Sequence, residues 1–598
     1  MQLKRFIIIF ILFMLLPLFG QTNKKPLNQN KNKGKELKSA KKKNEIIFSN
    51  NQNTSDYLEM FAKALQKVSE SYVDSVNESE LIKSGIKGMM NPLDPYTKFL
   101  SGSSKDRLDM LRTGKYGGVG IQIGLRRDTL TVLKPFEDSP AYSEGIHSGD
   151  QIIMIDSIDT KGMSLKDASD LIKGDLGSVV NLTIFRPSER KKIKFELTRA
   201  NILIKHVPYW GVDADGIGYV RITKFSKNTA KDFSLALNEI KNNDIKGLVI
   251  DLRSNSGGLL NNAINILDKL TDRGVNLLNT RGRIAKANRK MNSRRVPAIS
   301  NEIPIAVLIN HSSASASEIV AGVLQDLDRA VIVGTKSFGK GLVQSMYNLN
   351  DTTTLKVTTA KYYTPSGRLI QKEDYLNNGF LTDGLDKRDS LFMTRGGRQV
   401  KGGGGITPDL NVKQLRLPSY VQGLWKEGVF LAFAAEYVPR NNIKSPLFIT
   451  NKIFDDFEEF LEEYEINYKL PGENDLKKLK ASMKSDELLQ KKRAILLDKI
   501  IFWKKSKNKI QRLTKDLDKY YRNRRDDQFR ESQNMKWIRN GLLREMSLVA
   551  SGEKEKIRVS LFEDNVYNEA KNILLDLNRY YDVFNPKLQV TEIDSISN

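Results

Sequence analysis

IAVLINHSSASASEIVAGVLQ, residues 305–325, passes from one periodicity to another through a single small-residue turn. Ile305–Ile309 is an unbroken apolar run, the pattern of a buried strand, and the spacing predicts a helix over Ser317–Gln325. Between them lies His311-Ser312-Ser313-Ala314-Ser315-Ala316-Ser317-Glu318. A serine on a strand-to-helix turn exposes its hydroxyl beside the helix's first N–H groups, which have no partner within the helix. Such N–H groups stabilise the oxygen anion formed when a carbonyl is attacked. Taken alone, the stretch reads first as an ordinary small-residue turn closed by an N-cap serine.

Two further loops follow predicted buried strands. Gly247–Leu252 leads into Asp251-Leu252-Arg253-Ser254-Asn255-Ser256-Gly257-Gly258, whose paired glycines allow either a tight turn or a close backbone approach to a ligand. Ala330–Val333 leads into Gly334-Thr335-Lys336-Ser337-Phe338-Gly339-Lys340-Gly341. That loop approximates a phosphate-binding Gly-x-x-x-x-Gly-Lys-Ser/Thr, but Gly341 replaces the hydroxyl that would ligate magnesium. No helix follows either: Val343, Ser345, Tyr347 and Leu349 alternate as a strand does. Lys340 is thereby free for another task. A lysine serves as general base only if its pKa falls from ~10.4 toward neutrality, which burial without a carboxylate partner achieves. The bland reading is one more surface lysine.

Around this block (205–417, with a further strand at Gly218–Ile222 and helices at Ala230–Asn242 and Asn261–Leu270) the chain changes character. Lys4 and Arg5 precede an apolar run from Phe6 to Leu16, predicting a signal peptide over 1–20 or a retained anchor. Residues 21–54 hold nine Lys and eight Asn and read as a disordered tether. Residues 55–104 carry two short helical patterns. Residues 105–204 read as a compact β-rich unit with strands at Leu130–Leu133, Gln151–Ile155, Val179–Phe185 and Lys192–Leu197 and a helix at Leu165–Lys173. Residues 418–598 are Lys/Glu-rich with helical spacing, as at Ile510, Leu513, Leu517 and Tyr520.

The pieces MMNPLDPYTKFLS, GGVGIQIG, SPAYSEGIHSGDQII, DLRSNSGG, SASASEIVAG, GTKSFGKGLVQ, YYTPSGRLIQ and GITPDL occur in that order between Tyr57 and Leu417. Together they resemble the C-terminal processing peptidases, Ser–Lys proteases with an embedded PDZ domain. The resemblance implies an α+β multidomain fold: a ββα-spiral, crotonase/ClpP-like serine protease core, an inserted PDZ domain, a helical N-terminal lead and a mainly helical C-terminal region. In this family the nucleophile precedes the lysine by 25 positions, which selects Ser315 over Ser313 and Ser317. It implies Lys340 as the base, Gln344 as the residue orienting it, and Ala316, Gly257 and Gly258 as oxyanion donors. Asp326 matches an Asp of related members and reads equally as a solvated helix-end carboxylate. Ser256 stands where Pro is common, and Lys173 where Arg often follows the PDZ helix.

In the PDZ unit, successive N–H groups of Gly117, Gly118, Val119, Gly120 and Ile121 suit a chain-terminal carboxylate. Ile121, Ile123, Leu171 and Ile172 are expected to line an apolar pocket. The expected partners are polypeptides with unstructured, apolar C-termini, captured by the PDZ domain, whose movement gates the site. The alternative is a non-catalytic PDZ scaffold that retains a protease fold.

Composition bounds the rest. With no Cys, disulfides, thiol nucleophiles, Cys-bound zinc and lipidation after the leader are excluded; with three His (His147, His206, His311), a His-rich metal centre is not expected. No cofactor is called for. His311 is the alternative base, and His147 reads as structural. The net charge of +25 suits an anionic surface, so peripheral membrane association stays open. No nucleic-acid module is present, and none is expected as a partner. The C-terminal helices are read as a place for an adaptor or a homo-oligomer. The expected location is the periplasm or cell envelope.

Overall fold

The computed structural model describes residues 52–372, 391–444, 448–492 and 498–585. The expected leader and nearly all of the tether lie outside the described residues. The chain divides into one unit ending at Gly85 and another from Ile86 to Asn598. The first contains helix α1 (Gln52–Ser71) and the start of α2 (Glu78–Met90). No helix of the described residues is long and apolar enough to cross a membrane.

In the second unit, strand β1 (Lys98–Ser101) is followed by α3 (Ser103–Thr113), which runs across residue 104, where the sequence pattern changes. Then come β2 (Lys115–Gly118), β3 (Ile121–Arg126), β4 (Thr129–Pro135), β5 (Gln151–Ile155), α4 (Leu165–Ile172), β6 (Val179–Arg186), β7 (Lys191–Thr198) and β8 (Ala200–Leu203). Strands β3-β4-β5-β6-β7 form an antiparallel sheet, and β2 pairs with β8. Alternate residues of β6 (Val180, Leu182, Ile184) point into a core with Val132, Ile152 and Ala168, as period-2 burial requires. This is the unit expected to be a PDZ domain. Arg199 donates to the carbonyls of Ile172 at 3.0 Å and Leu171 at 2.8 Å, so a guanidinium covers the end of α4 although residue 173 is Lys.

The expected catalytic core follows: β9 (Tyr209–Val212), β10 (Ile217–Arg221), α5 (Thr229–Lys241), β11 (Gly247–Asp251), α6 (Leu260–Leu267), β12 (Asn276–Arg281), β13 (Arg289–Asn292), β14 (Ile305–Ile309), α7 (Ala316–Asp326), β15 (Val331–Gly334), β16 (Leu342–Asn348), β17 (Thr353–Tyr363) and β18 (Leu410–Asn411). One sheet has the order β9-β10-β11-β14-β15-β18, parallel from β10 onward. A second, antiparallel sheet joins β1, β17, β12 and β13, with β16 also on β17.

A parallel sheet is buried on both faces. Helices α5, α6 and α7 cover one face, with Ile250, Val307, Ile319 and Val323 in the contact. The other face, with Tyr219, Val249, Leu308 and Val333, is covered from the far end of the chain by α15 (Asn565–Leu575) and α16 (Leu577–Asp582) through Tyr567, Ile573, Leu574 and Tyr580. Before them come α8 (Ser419–Glu427), α9 (Val429–Arg440), α10 (Asn451–Leu461), α11 (Glu473–Lys492), α12 (Asp498–Asp526), α13 (Ser532–Ser551) and α14 (Glu553–Ser560). Their aromatic core gathers Phe430, Phe433, Phe454 and Phe457. The C-terminal helices are therefore part of the catalytic core's own packing, beyond the tail role the sequence suggests.

Candidate active site

Three loops leave the carboxyl ends of the neighbouring parallel strands β11, β14 and β15, the usual place for a site in such sheets. They carry Gly257/Gly258, Ser315 and Lys340. A Cβ built on Gly257 would lie 2.8 Å from Ser315 Cβ and 2.9 Å from Ala316 N, so the glycine loop lies directly against the serine turn. Ser315 holds φ 56° and ψ −113° immediately before α7, a positive-φ conformation that costs a non-glycine residue of order 1–3 kcal/mol. Ala316 is the first residue of that helix, and its N–H has no intrahelical acceptor. The N–H of Gly257 donates to Asn255 Oδ1 at 2.9 Å. The carbonyl of Asn255 accepts from Ala314 N–H at 3.0 Å and Ser317 Oγ at 2.8 Å, fixing one loop to the other.

Lys340 is withdrawn from solvent, and burial, reinforced by the charge of Lys356, brings its pKa down to about 8 against the opposing pull of Asp94 and Glu318. Its Nζ donates to Gln344 Oε1 at 2.7 Å and lies 4.4 Å from the centre of the Tyr96 ring. Gln344 sits at a register shift between β16 and β17 and donates to Thr358 Oγ1 at 3.5 Å. Thr358 in turn donates to Asp94 Oδ1 at 3.2 Å, and Thr97 Oγ1 to Asp94 Oδ2 at 2.6 Å. Among the described residues no hydrogen bond joins Lys340 Nζ to Ser315 Oγ. His311 is exposed, and none of the three histidines hydrogen-bonds Ser315 among the described residues.

Two buried side chains tie the backbones of Ser315 and Lys340 together, and sequence reasoning missed both. Glu318 Oε2 accepts from the N–H of Ser315 at 2.8 Å and of Lys340 at 2.9 Å, while Oε1 accepts from Gly339 N–H at 2.6 Å and Ser337 Oγ at 2.5 Å. Burial raises its pKa, opposed by these four bonds. The hydroxyl of Tyr362 reaches the carbonyl of Ser315 at 3.3 Å and also donates to that of Lys340. In the loop that resembles a phosphate cradle, the N–H groups of Gly339 and Lys340 are thus filled by a side-chain carboxylate. A Glu three residues after an N-cap serine is the available signal for Glu318; for Tyr362 the sequence offers none.

Asp326 is buried, not solvated: it pairs with Arg368 at 2.8 Å and accepts from Ser366 N–H at 2.9 Å. Behind the glycine loop, Asp251 is fully buried. Burial alone would raise its pKa, but Arg253 and Arg221 hold it well below the carboxylate range. Arg253 also pairs with Asp564, the N-cap of α15, at 2.7 Å.

In the PDZ domain Gly120 adopts φ 80°, and a Cβ there would meet Ser139 Cβ at 2.2 Å. Ile121 and Ile123 on β3 and Leu171 on α4 are half-buried, whereas Val119 and Ile172 belong to the domain's core at 0% and 5% exposure. Gly117 and Gly118 pair with Asn201 and Ala200 of β8. No group of three or more His, Asp or Glu among the described residues is placed to hold a metal.

With this geometry in view, comparison with known proteins gives the class. The model of peptidase family S41 matches residues 216–379, a PDZ domain model 132–186, the model of the activating protease CtpB N-terminal domain 19–103, and that of a probable PDZ-protease C-terminal helical domain 420–574. The carboxy-terminal-processing protease of Bartonella bacilliformis is 40% identical over 332 residues, covering 54% of this chain and 75% of that protein. The carboxy-terminal processing protease CtpB of Bacillus subtilis is 32% identical over 319 residues, covering 53% of this chain and 66% of that one. Among solved structures, the photosystem II D1 C-terminal processing protease aligns at 29% identity over 59% of this chain and 92% of that chain, with a TM-score of 0.33. The chain belongs to the carboxy-terminal processing proteases of peptidase family S41, and is a serine-type endopeptidase with a PDZ domain.

Proposed function

We propose that this chain cuts polypeptides near unstructured, apolar C-termini, with Ser315 as nucleophile and Lys340 as its base. The observation that carries the reading is Lys340: a half-buried amine with a pKa near 8, bonded to a neutral carboxamide rather than a carboxylate. Such an amine is uncharged in an appreciable fraction of molecules at neutral pH. Glu318 and Tyr362 fix the backbones, so the alignment proposed is a side-chain movement that brings Nζ within ~3 Å of Oγ, with Gln344 orienting the amine.

In the proposed cycle Ser315 Oγ attacks the scissile carbonyl while Nζ accepts its proton. The tetrahedral oxygen anion takes hydrogen bonds from Ala316 N–H and the glycine loop, with Gly258 as donor and Gly257 giving room and shape. The ammonium then protonates the departing amine, leaving an acyl-enzyme, and a water activated by the same amine releases the acid. The PDZ domain holds the substrate's terminal carboxylate at Gly117–Ile121 and its last side chain among Ile121, Ile123 and Leu171, with Ile172 behind them, and this binding aligns the site. We place the domains at 55–104, 105–204, 205–417 and 418–598. Export to the periplasm or cell envelope is proposed on the apolar run behind Lys4 and Arg5.

The test is to incubate the full chain with an unfolded protein ending in an apolar residue, and with the same protein amidated at its C-terminus. Cleavage is expected for the wild type, lost in Ser315→Ala and Lys340→Ala, and weakened chiefly in KM by amidation. Cleavage that persists in Ser315→Ala overturns the assignment.

A further inference from the structure

A cavity of about 610 Å³ lies where the PDZ domain, the catalytic core and the C-terminal helices meet, lined among others by Arg126, Arg253, Ser254, Trp425 and Arg544. Most charges on its wall are matched. Glu545 pairs with Lys556 at 2.6 Å, Asp564 with Arg253 at 2.7 Å, Glu563 with Lys536 at 2.5 Å, and Glu553 with Lys134. Arg221 is satisfied by Asp251 at 2.9 Å.

Two arginines are not matched. Arg544, on α13, lies 5.1 Å from the centre of the Trp425 ring, and its Nε is shielded from solvent with no hydrogen-bond partner. Arg126, at the end of β3, has the same orphaned Nε. Its side chain is pressed against the turn between α8 and α9, where a Cβ on Gly428 would lie 2.2 Å from Arg126 Cδ and 2.7 Å from Nε. Its recorded hydrogen bond runs from Nη1 to the neighbouring carbonyl of Leu125 at 3.1 Å. Neither guanidinium makes an ion pair among the described residues.

Burial lowers the pKa of the Arg544 guanidinium against the pull of Glu545 and Asp564, and Arg221 adds to the lowering, so an anion on this wall would be favoured. The planar N–H fork of arginine matches the paired oxygens of a carboxylate or phosphate. The volume exceeds that of a single ion, and the Trp425 wall is apolar.

We propose that this cavity binds an oxyanion through Arg126 and Arg544, joining the PDZ strand β3 to helix α13. The fork accepts a free phosphate or a chain-terminal carboxylate, and the experiment separates these sources. The thermal midpoint of the full chain is measured in sodium phosphate against sodium chloride at equal ionic strength and pH. It is measured again with a short apolar-ended peptide as free acid and as amide. The bound anion is expected to raise the midpoint by about 2 °C at roughly a hundred times its dissociation constant. Arg126→Met and Arg544→Met should each abolish that rise, while Arg544→Met raises the midpoint without ligand because an unmatched charge is gone. Arg126→Lys and Arg544→Lys, which keep the charge but lose the fork, should weaken binding about tenfold and serve where a Met variant does not fold. A phosphate response lost in the variants assigns a free oxyanion; a response only to the peptide acid, also lost in them, assigns a chain end. No response to either, or one unchanged in the variants and so belonging to the PDZ loop, overturns the proposal.

Discussion

Glu318 Oε2 accepts a hydrogen bond from the N–H of Lys340 at 2.9 Å, and the same oxygen holds the N–H of Ser315 at 2.8 Å. One carboxylate therefore sets the spacing between two loops that leave different strands. Its charge also raises the pKa of the amine, against the larger effect of burial. Glu318→Gln keeps the shape but turns an NH2 toward N–H groups. The expected result is a 10- to 100-fold loss in kcat with little change in KM, and a stability loss of about 1–3 kcal/mol. The inflection of the pH–rate profile should move to lower pH; an inflection left near 8 would mean that Glu318 acts on structure alone.

Lys340 gives two pH-dependent predictions. As the proposed base it would work uncharged, so kcat/KM should rise about tenfold per pH unit below the inflection near pH 8 and level off above it. For stability the sign is the reverse of a stabilising pair, because the folded pKa lies below the unfolded value of 10.5. Below pH 8 the amine is charged in both states and the cost of burying it is fully present; the cost disappears as pH rises through 8 toward 10.5. Lys340→Met should therefore stabilise the protein at pH 7, by about 3 kcal/mol at most, and by much less at pH 10. Denaturant titrations at both values check it.

Substitutions in the glycine loop should reach Ser315, the proposed nucleophile, by contact. At Gly257, φ 92°, a Cβ would meet Ala314 O at 2.6 Å and Ser315 Cβ at 2.8 Å; at Gly258, φ 151°, it would meet Phe225 O at 2.1 Å. Gly257→Ala is expected to displace the serine turn and lower kcat at least 100-fold, with binding of a C-terminal peptide to the PDZ domain unchanged. Gly258→Ala should add a larger loss of thermal stability, because its backbone clash, at 2.1 Å, is the closer one.

Asp564 acts from a distance. Its carboxylate caps α15 and pairs with Arg253, two residues beyond Asp251 at the root of the glycine loop. Asp564→Asn keeps the cap but removes the charge. We expect a several-fold fall in kcat with KM nearly constant, and partial recovery in Asp564→Glu. Steady-state kinetics with one tailed peptide decide it; unchanged kcat would leave Asp564 a cap only.

Much of this was legible in the sequence because the strands are short and punctuated. Ile305–Ile309 and Gln151–Ile155 are read with the bounds the structure shows, and the alternation after Gly341 marks β16 rather than a nucleotide-binding helix. What escaped depends on contacts between distant segments. Tyr362 reaches Ser315 and Lys340 only because β17 crosses beneath both loops, and Asp94 and Tyr96 join the lysine only because β1 pairs with β17. The role of residues 565–582 in covering the parallel sheet was equally hidden. The fully apolar run Ile305–Ile309 requires a cover on each face, but nothing in it says which segment supplies the second.

The most direct test of the Ser–Lys account is labelling with a fluorophosphonate across pH 6–10, the modified residue being located by mass spectrometry. The account predicts a single adduct on Ser315, formed at a rate that rises with an apparent pKa near 8 and falls by at least 100-fold in Lys340→Ala. An adduct on another serine, or a Ser315 adduct formed as fast without Lys340, would contradict it.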